Sequence, residues 1–174
     1  MMAKNKYMMK VSLSVNGVNK LLKFSKVLQK DMPTLEKRFV EKSLAFIQER
    51  ANEYIKATTG NSDWYVLTHQ LENSWVVDLT KKTLRNICPY SAFVEYGTGV
   101  VGAGTHPESG DYQYDENGHG DSGWFFFDNE GTLHWTRGME AHAYLYNAVS
   151  DYYYKGEAER ILDELINEML RKAV

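Results

Sequence analysis

The stretch "YSAFVEYGTGVVGAGTHPESGDY", Tyr90 to Tyr112, decides between two folds. Gly97, Gly99 and Gly102 spell G-x-G-x-x-G after an apolar run that reads as a strand, the glycine pattern of a dinucleotide-binding turn. That fingerprint works only when a helix follows the glycines and holds the phosphates at its amino terminus, inside a βαβ unit of about 30 residues. Here the next ten residues, "AGTHPESGDY", contain two further glycines, a proline and no apolar period, so no receiving helix is expected. The glycines read instead as the exit from a core segment, anchored by Val94 and Tyr96, into a long loop. Glu95 sits between those anchors, where a carboxylate needs a partner.

Upstream, Val11, Leu13 and Val15 alternate with polar residues, a period of two that predicts a short strand ended by Asn16-Gly17. "GVNKLLKFSKVLQK" then predicts an amphipathic helix that stops before Pro33, with Lys20, Lys23, Lys26 and Lys30 on its solvated side. From Pro33 to about Ala57 the steps Val40, Leu44, Ile47, Ala51 and Tyr54 predict the longest helix, with Leu35, Phe39 and Phe46 widening its stripe. Such a helix should lie between a sheet and another element. "TTGNSD", Thr58 to Asp63, carries turn residues that end it.

Downstream, "NSWVVDL" (73–79) and "TLRNIC" (83–88) predict an antiparallel hairpin across "TKK". Residues 97–138 hold 10 of the 13 glycines, which predicts loops and tight turns and, over about 99–122, a projecting flexible loop. Within that third of the chain "WFFFD" and "TLHWT" flank "NEG", a second hairpin over Trp124 to Thr136 with glycine in the turn. Ala141 to Tyr153 predicts a helix with Leu145, Ala148, Val149 and Tyr152 on one side. A last helix carries Ala158, Ile161, Leu162, Leu165, Ile166, Met169 and Leu170, and Gly156 joins or kinks the two. The expected class is α+β in one domain over residues 1–174: a small antiparallel sheet against a long helix, with a short amino-terminal helix, a carboxy-terminal helix and a long glycine-rich loop.

A net charge of −3 argues against a general nucleic-acid binder, and no sequence-specific nucleic-acid partner is expected. The charge is unevenly placed: residues 1–56 carry 12 Lys or Arg against 5 acids, and the remainder 8 against 18. The two parts should attract each other, within a subunit in the simpler reading or between neighbours. A single cysteine, Cys88, forms no internal disulfide, and no apolar run approaches the roughly 20 residues that span a bilayer. With no export signal read in "MMAKNKYMMKVSLSV", the expectation is a chain made in a reducing cytoplasm, with no membrane partner.

His106, His119 and His134, with Asp115 or Asp121, are the residues a metal site would use, giving as one alternative a small metal-dependent hydrolase. Their spacing matches no specific metal motif, so the expected reading has no metal, no cofactor and no catalytic residue. The aromatic clusters "WFFF" and "YYY" lack the basic lining of a single-strand groove and fit a core or a subunit interface.

Several landmarks, in order along the chain, resemble a family of tailed-bacteriophage neck proteins, the tail-completion or head-tail joining proteins. "PYSAFVEYGTGVVG" is similar to the family's Tyr-Ala-x-x-Val-Glu-aromatic-Gly-Thr-Gly signature at Tyr90, Val94, Glu95, Tyr96, Gly97, Thr98 and Gly99, with Ser91 in place of Ala. "YDENGHGDSGWFFF" resembles a Gly-His-Gly-x-x-Gly-Trp element at Gly118, His119, Gly120, Gly123 and Trp124. "WTRGMEAHAYLYNA", with Trp135, Thr136 and Gly138, is similar to a Thr-x-Gly segment that leads into a helix opening with Arg-Pro-Phe, where this chain has His142, Ala143 and Tyr144. The resemblance implies a non-enzymatic virion part, found in the neck between head and tail and in the bacterial host cytoplasm during assembly. It further implies a homo-oligomeric ring, a hexamer if it matches the tail tube, whose partners are a head-closure or connector protein and the major tail protein.

Overall fold

A computed structural model of the chain describes residues 14–58, 69–108, 123–128 and 130–173. Its first element is one helix, α1 (Val15–Thr58), of 44 residues. Ser14 starts it: the Ser14 hydroxyl accepts the Gly17 amide at 3.1 Å and the Ser14 carbonyl accepts that of Val18, the geometry of an N-cap. Val15, Asn16 and Gly17, expected to end a strand, are therefore the first turn of a helix. Val11 to Leu13 lie outside the described residues, as do Thr59 to Asp63 of the expected turn.

The expected break before Pro33 is absent, and Pro33 lies inside α1. Proline removes one helical N–H and crowds the preceding turn. The apolar positions Leu28, Met32, Leu35 and Phe39 nevertheless step by 4, 3 and 4 across it, so a single stripe stays in phase and packing on the carboxy-terminal side carries the helix through.

α1 is followed by α2 (Gln70–Asn73), β1 (Trp75–Asp78) and β2 (Thr83–Asn86). The hairpin is antiparallel as expected, with Trp75 opposite Asn86 and Asp78 opposite Thr83, and the Asp78 side chain accepts the Lys81 amide in its turn. The run before Gly97 is not a strand but a short helix, α3 (Ser91–Tyr96), and Gly99–Gly102 forms a single helical turn, α4. The second expected hairpin is present as β3 (Trp124–Phe127) and β4 (Leu133–Thr136), followed by the two-residue β5 (Gly138–Met139). The two hairpins are separate two-stranded sheets rather than one small sheet. Two helices close the chain, α5 (Tyr144–Tyr154) and α6 (Glu157–Ala173), divided at Lys155-Gly156, where Gly156 has φ +76. Mixed helix and strand in this order is an α+β fold.

The core forms along α1. Ala51 and Ile55 of α1 pack with Leu71, Cys88, Tyr144 and Ala148, and Trp75 from β1 joins them by donating its indole N–H to Asn52. Further back along the helix, Leu35, Phe39 and Phe46 meet Tyr152, Ile161 and Leu165, and Ile47 belongs to both groups. Helices α5 and α6 are thus the main neighbours of α1, and the hairpin β1–β2 meets it near its carboxy-terminal end through Trp75 and at mid-helix through the Lys82–Glu36 ion pair. The basic start and acidic end of the chain meet within the subunit: Arg38 with Glu168, Lys42 with Glu164, Arg50 with Asp151 and Lys56 with Glu72.

Candidate functional site

Glu95 is 7% exposed and His106 5%, two ionisable side chains in the interior. Helix α5 needs an anion at its start, because its first amides have no intrahelical acceptor and its N-cap, Ala143 (φ 47), offers no side chain to them. Glu95 fills that role from another element. Its Oε2 accepts the Leu145 amide at 2.8 Å and its Oε1 the Tyr146 amide at 2.9 Å, at the second and third positions of the helix. The backbone repeats the connection, since the carbonyls of Val94 and Glu95 accept the amides of His142 and Ala143, each at 3.0 Å.

His106 completes the arrangement. Its Nδ1 accepts the Glu108 amide at 3.0 Å, which leaves Nε2 to carry the hydrogen it donates to Glu95 Oε1 at 3.2 Å. The imidazole lies 4.5 Å from the Tyr96 ring and 5.4 Å from that of Tyr146, centre to centre. A buried carboxylate–histidine pair is half of a charge-relay arrangement, and a relay needs one ring nitrogen directed at a nucleophile. Here both nitrogens are bound to the chain's own groups, so the pair positions α5 and the 102–108 segment rather than presenting a base. Beside it opens a cleft of about 560 Å³, walled by Tyr96, Glu108, Tyr146, Ser150, Tyr153 and Tyr154.

Gly97, Gly99 and Gly102 have a structural cause. Thr98 and Gly99 bridge Met139 and Gly138, so two backbone segments run in close contact. A Cβ at Gly97 would stand 2.8 Å from the Met139 carbonyl oxygen and one at Gly102 2.6 Å from it, inside any normal approach. Gly138, at φ +106, is tighter still: its Cβ would overlap the Thr98 carbonyl. Within 99–108, the first part of the expected projecting loop, Gly102 and His106 are buried, whereas residues 100, 101, 103–105, 107 and 108 are exposed. Residues 109–122 of that expected loop lie outside the described residues.

The signature residues converge. Tyr90 precedes α3 and packs on the core, Tyr96 and Gly97 end that helix, and the Thr98 hydroxyl accepts the Met139 amide at 3.2 Å. Gly123 (φ +88) admits the chain to β3, where Trp124 pairs with Thr136. Trp135 points outward. His119 and Gly120 lie outside the described residues.

The alternative metal set does not assemble in what is described. His106 is bound to Glu95, whereas His134 donates to Asp128 at 2.8 Å in the other hairpin, and Asp115, His119 and Asp121 lie outside the described residues. Among the described residues no group of three or more His, Cys, Asp or Glu is placed to hold a metal ion, and no helix is long and apolar enough to cross a membrane. His134, with backbone amides of the turn, holds the Asp128 carboxyl below the usual range, which accounts for the pair as a turn lock.

Hairpin β3–β4 shows a feature that sequence pattern did not separate. Its register puts Phe125 opposite Trp135 and Phe127 opposite Leu133 on one face, with exposures of 63, 51, 70 and 53%. Trp124, Phe126 and His134 take the half-buried face. "WFFF" is apolar on both faces, so alternation could not tell which side would be covered. The Glu95–amide contacts were equally invisible, because backbone N–H groups leave no mark in the residue types.

No protein-family model, curated protein or solved structure matches the chain.

Proposed function

We propose that this chain is a structural, non-enzymatic component of a tailed-phage or prophage virion, a subunit of a homo-oligomeric ring that joins head to tail. Six copies would match a six-fold tail tube. The observation that carries the reading is the uncovered apolar face of β3–β4: four large side chains on one side of a two-stranded ribbon suit a protein that functions by contact with others. The signature residues support it in a second way. Glu95 holds the start of α5, and Gly97, Gly99 and Gly138 admit the close backbone contact that joins residues 97–99 to 138–139 beside the ribbon.

The test is assembly. Deleting the gene from its phage or prophage should yield DNA-filled heads and separate tails, and adding purified protein should join them. Intact virions from the deletion would refute the assignment.

A further inference from the structure

The amino-terminal part of α1 offers a surface complementary to the aromatic ribbon. The clusters that hold α1 to the body begin at Leu35, so residues 15–32 form an arm of about 27 Å at 1.5 Å per residue. On it Val15, Val18, Leu21, Leu22 and Met32 are 47–78% exposed. The arm carries Lys20, Lys23, Lys26 and Lys30 against Asp31, a balance of +3. None of those four lysines is in an ion pair among the described residues.

The ribbon has the opposite sign. Residues 123–140, which contain it, carry Asp128, Glu130 and Glu140 against Arg137, a balance of −2. Its apolar face extends about two residues along each strand, roughly 7 Å between Cα atoms. Val15 to Leu22 covers about 10 Å of helix, a fit of two turns to one ribbon face.

We infer that the arm of one subunit docks on the β3–β4 face of a second copy, Leu21 and Leu22 against Phe125, Phe127, Leu133 and Trp135, with the lysines over the acidic rim. The inference rests on the neck-ring reading and names the contact that would close such a ring. The large apolar side chains named on both faces are exposed, and α1 is one continuous helix. Arm against arm would set lysines against lysines, and ribbon against ribbon would set acids against acids. Only the unlike pairing is favourable. Unlike surfaces make a heterologous contact, which propagates into a ring when its rotation closes.

Single-cysteine chains test it in a Cys88→Ala background, one carrying Leu21→Cys and the other Phe127→Cys. On mixing and mild oxidation, the Leu21→Cys and Phe127→Cys chains should join as a mixed dimer well above either same-site dimer, and a chain bearing both should give a ladder. Same-site dimers alone, or no cross-link at any concentration, would overturn the contact. Leu21→Glu at this exposed position should keep the circular dichroism and Tm of the parent yet weaken self-association at least about tenfold, more so at low salt. Unchanged association would count against it. The two readings fail separately: a chain that joins heads to tails without the mixed cross-link refutes the arm contact alone, and one that cross-links as expected but joins nothing refutes the neck role alone.

Discussion

Glu95 ties three parts of this fold together. It caps α5, anchors His106 and belongs to the helix that enters the glycine junction. Glu95→Ala removes the cap and leaves two amides and an imidazole N–H without acceptors in the interior, a cost of about 3 kcal/mol. For a chain of this size Tm should fall by about 6–12 °C, measured by calorimetry. Glu95→Gln, which keeps the shape but has one acceptor oxygen, should fall between. The glycines give a second contrast. Gly138→Ala should cost about 4 kcal/mol or prevent folding, because its Cβ would overlap the Thr98 carbonyl. Gly131→Ala, whose Cβ meets nothing within 4 Å, should cost only about 1 kcal/mol for its positive φ. The demand that Glu95 find a partner was legible from its apolar neighbours. The identity of the partner was not, since it is backbone some 50 residues away.

Between elements, the link from α1 to α5 is partly ionic. Burial pushes the Asp151 carboxyl up, but hydrogen bonds from Lys155, Arg50 and Tyr54 outweigh it and hold the group at about 2. Its pKa is therefore lower folded than unfolded, so its contribution is complete above about pH 4 and is lost as pH falls from there toward 2. Asp151→Asn should flatten that part of the stability–pH curve in urea titrations and cost about 2 kcal/mol at neutral pH. Burial also lowers the pKa of His142, which favours its neutral form, and its Nδ1 is buried with no hydrogen-bond partner among the described residues. Protonation below about pH 6.5 should then destabilise the fold, and His142→Phe should remove that dependence at little or no cost near neutrality. Both hairpins and the last two helices were legible because their periods were local. The start of α1 was not: a two-residue alternation and Asn-Gly outlined a strand, and one serine hydroxyl accepting an amide three residues on outweighed both. Pro33 misled for the opposite reason, since its cost is local whereas the packing that offsets it lies beyond it, from Leu35 to Ile55.

At the scale of the molecule, the charge asymmetry resolves into two parts. Arg38, Lys42, Arg50 and Lys56 find acids inside the subunit, while Lys20, Lys23, Lys26 and Lys30 are in no ion pair among the described residues. The first part holds α1 to its neighbours, and the second leaves a basic, apolar-striped helix facing outward from a body whose ribbon is acidic and aromatic. The most direct measurement is native mass spectrometry of the purified chain, alone and with tail tubes from the phage or prophage that encodes it. The account predicts a single closed oligomer on the tubes, at a stoichiometry set by the symmetry of the tube. A chain that stays monomeric and leaves the tubes bare would contradict it.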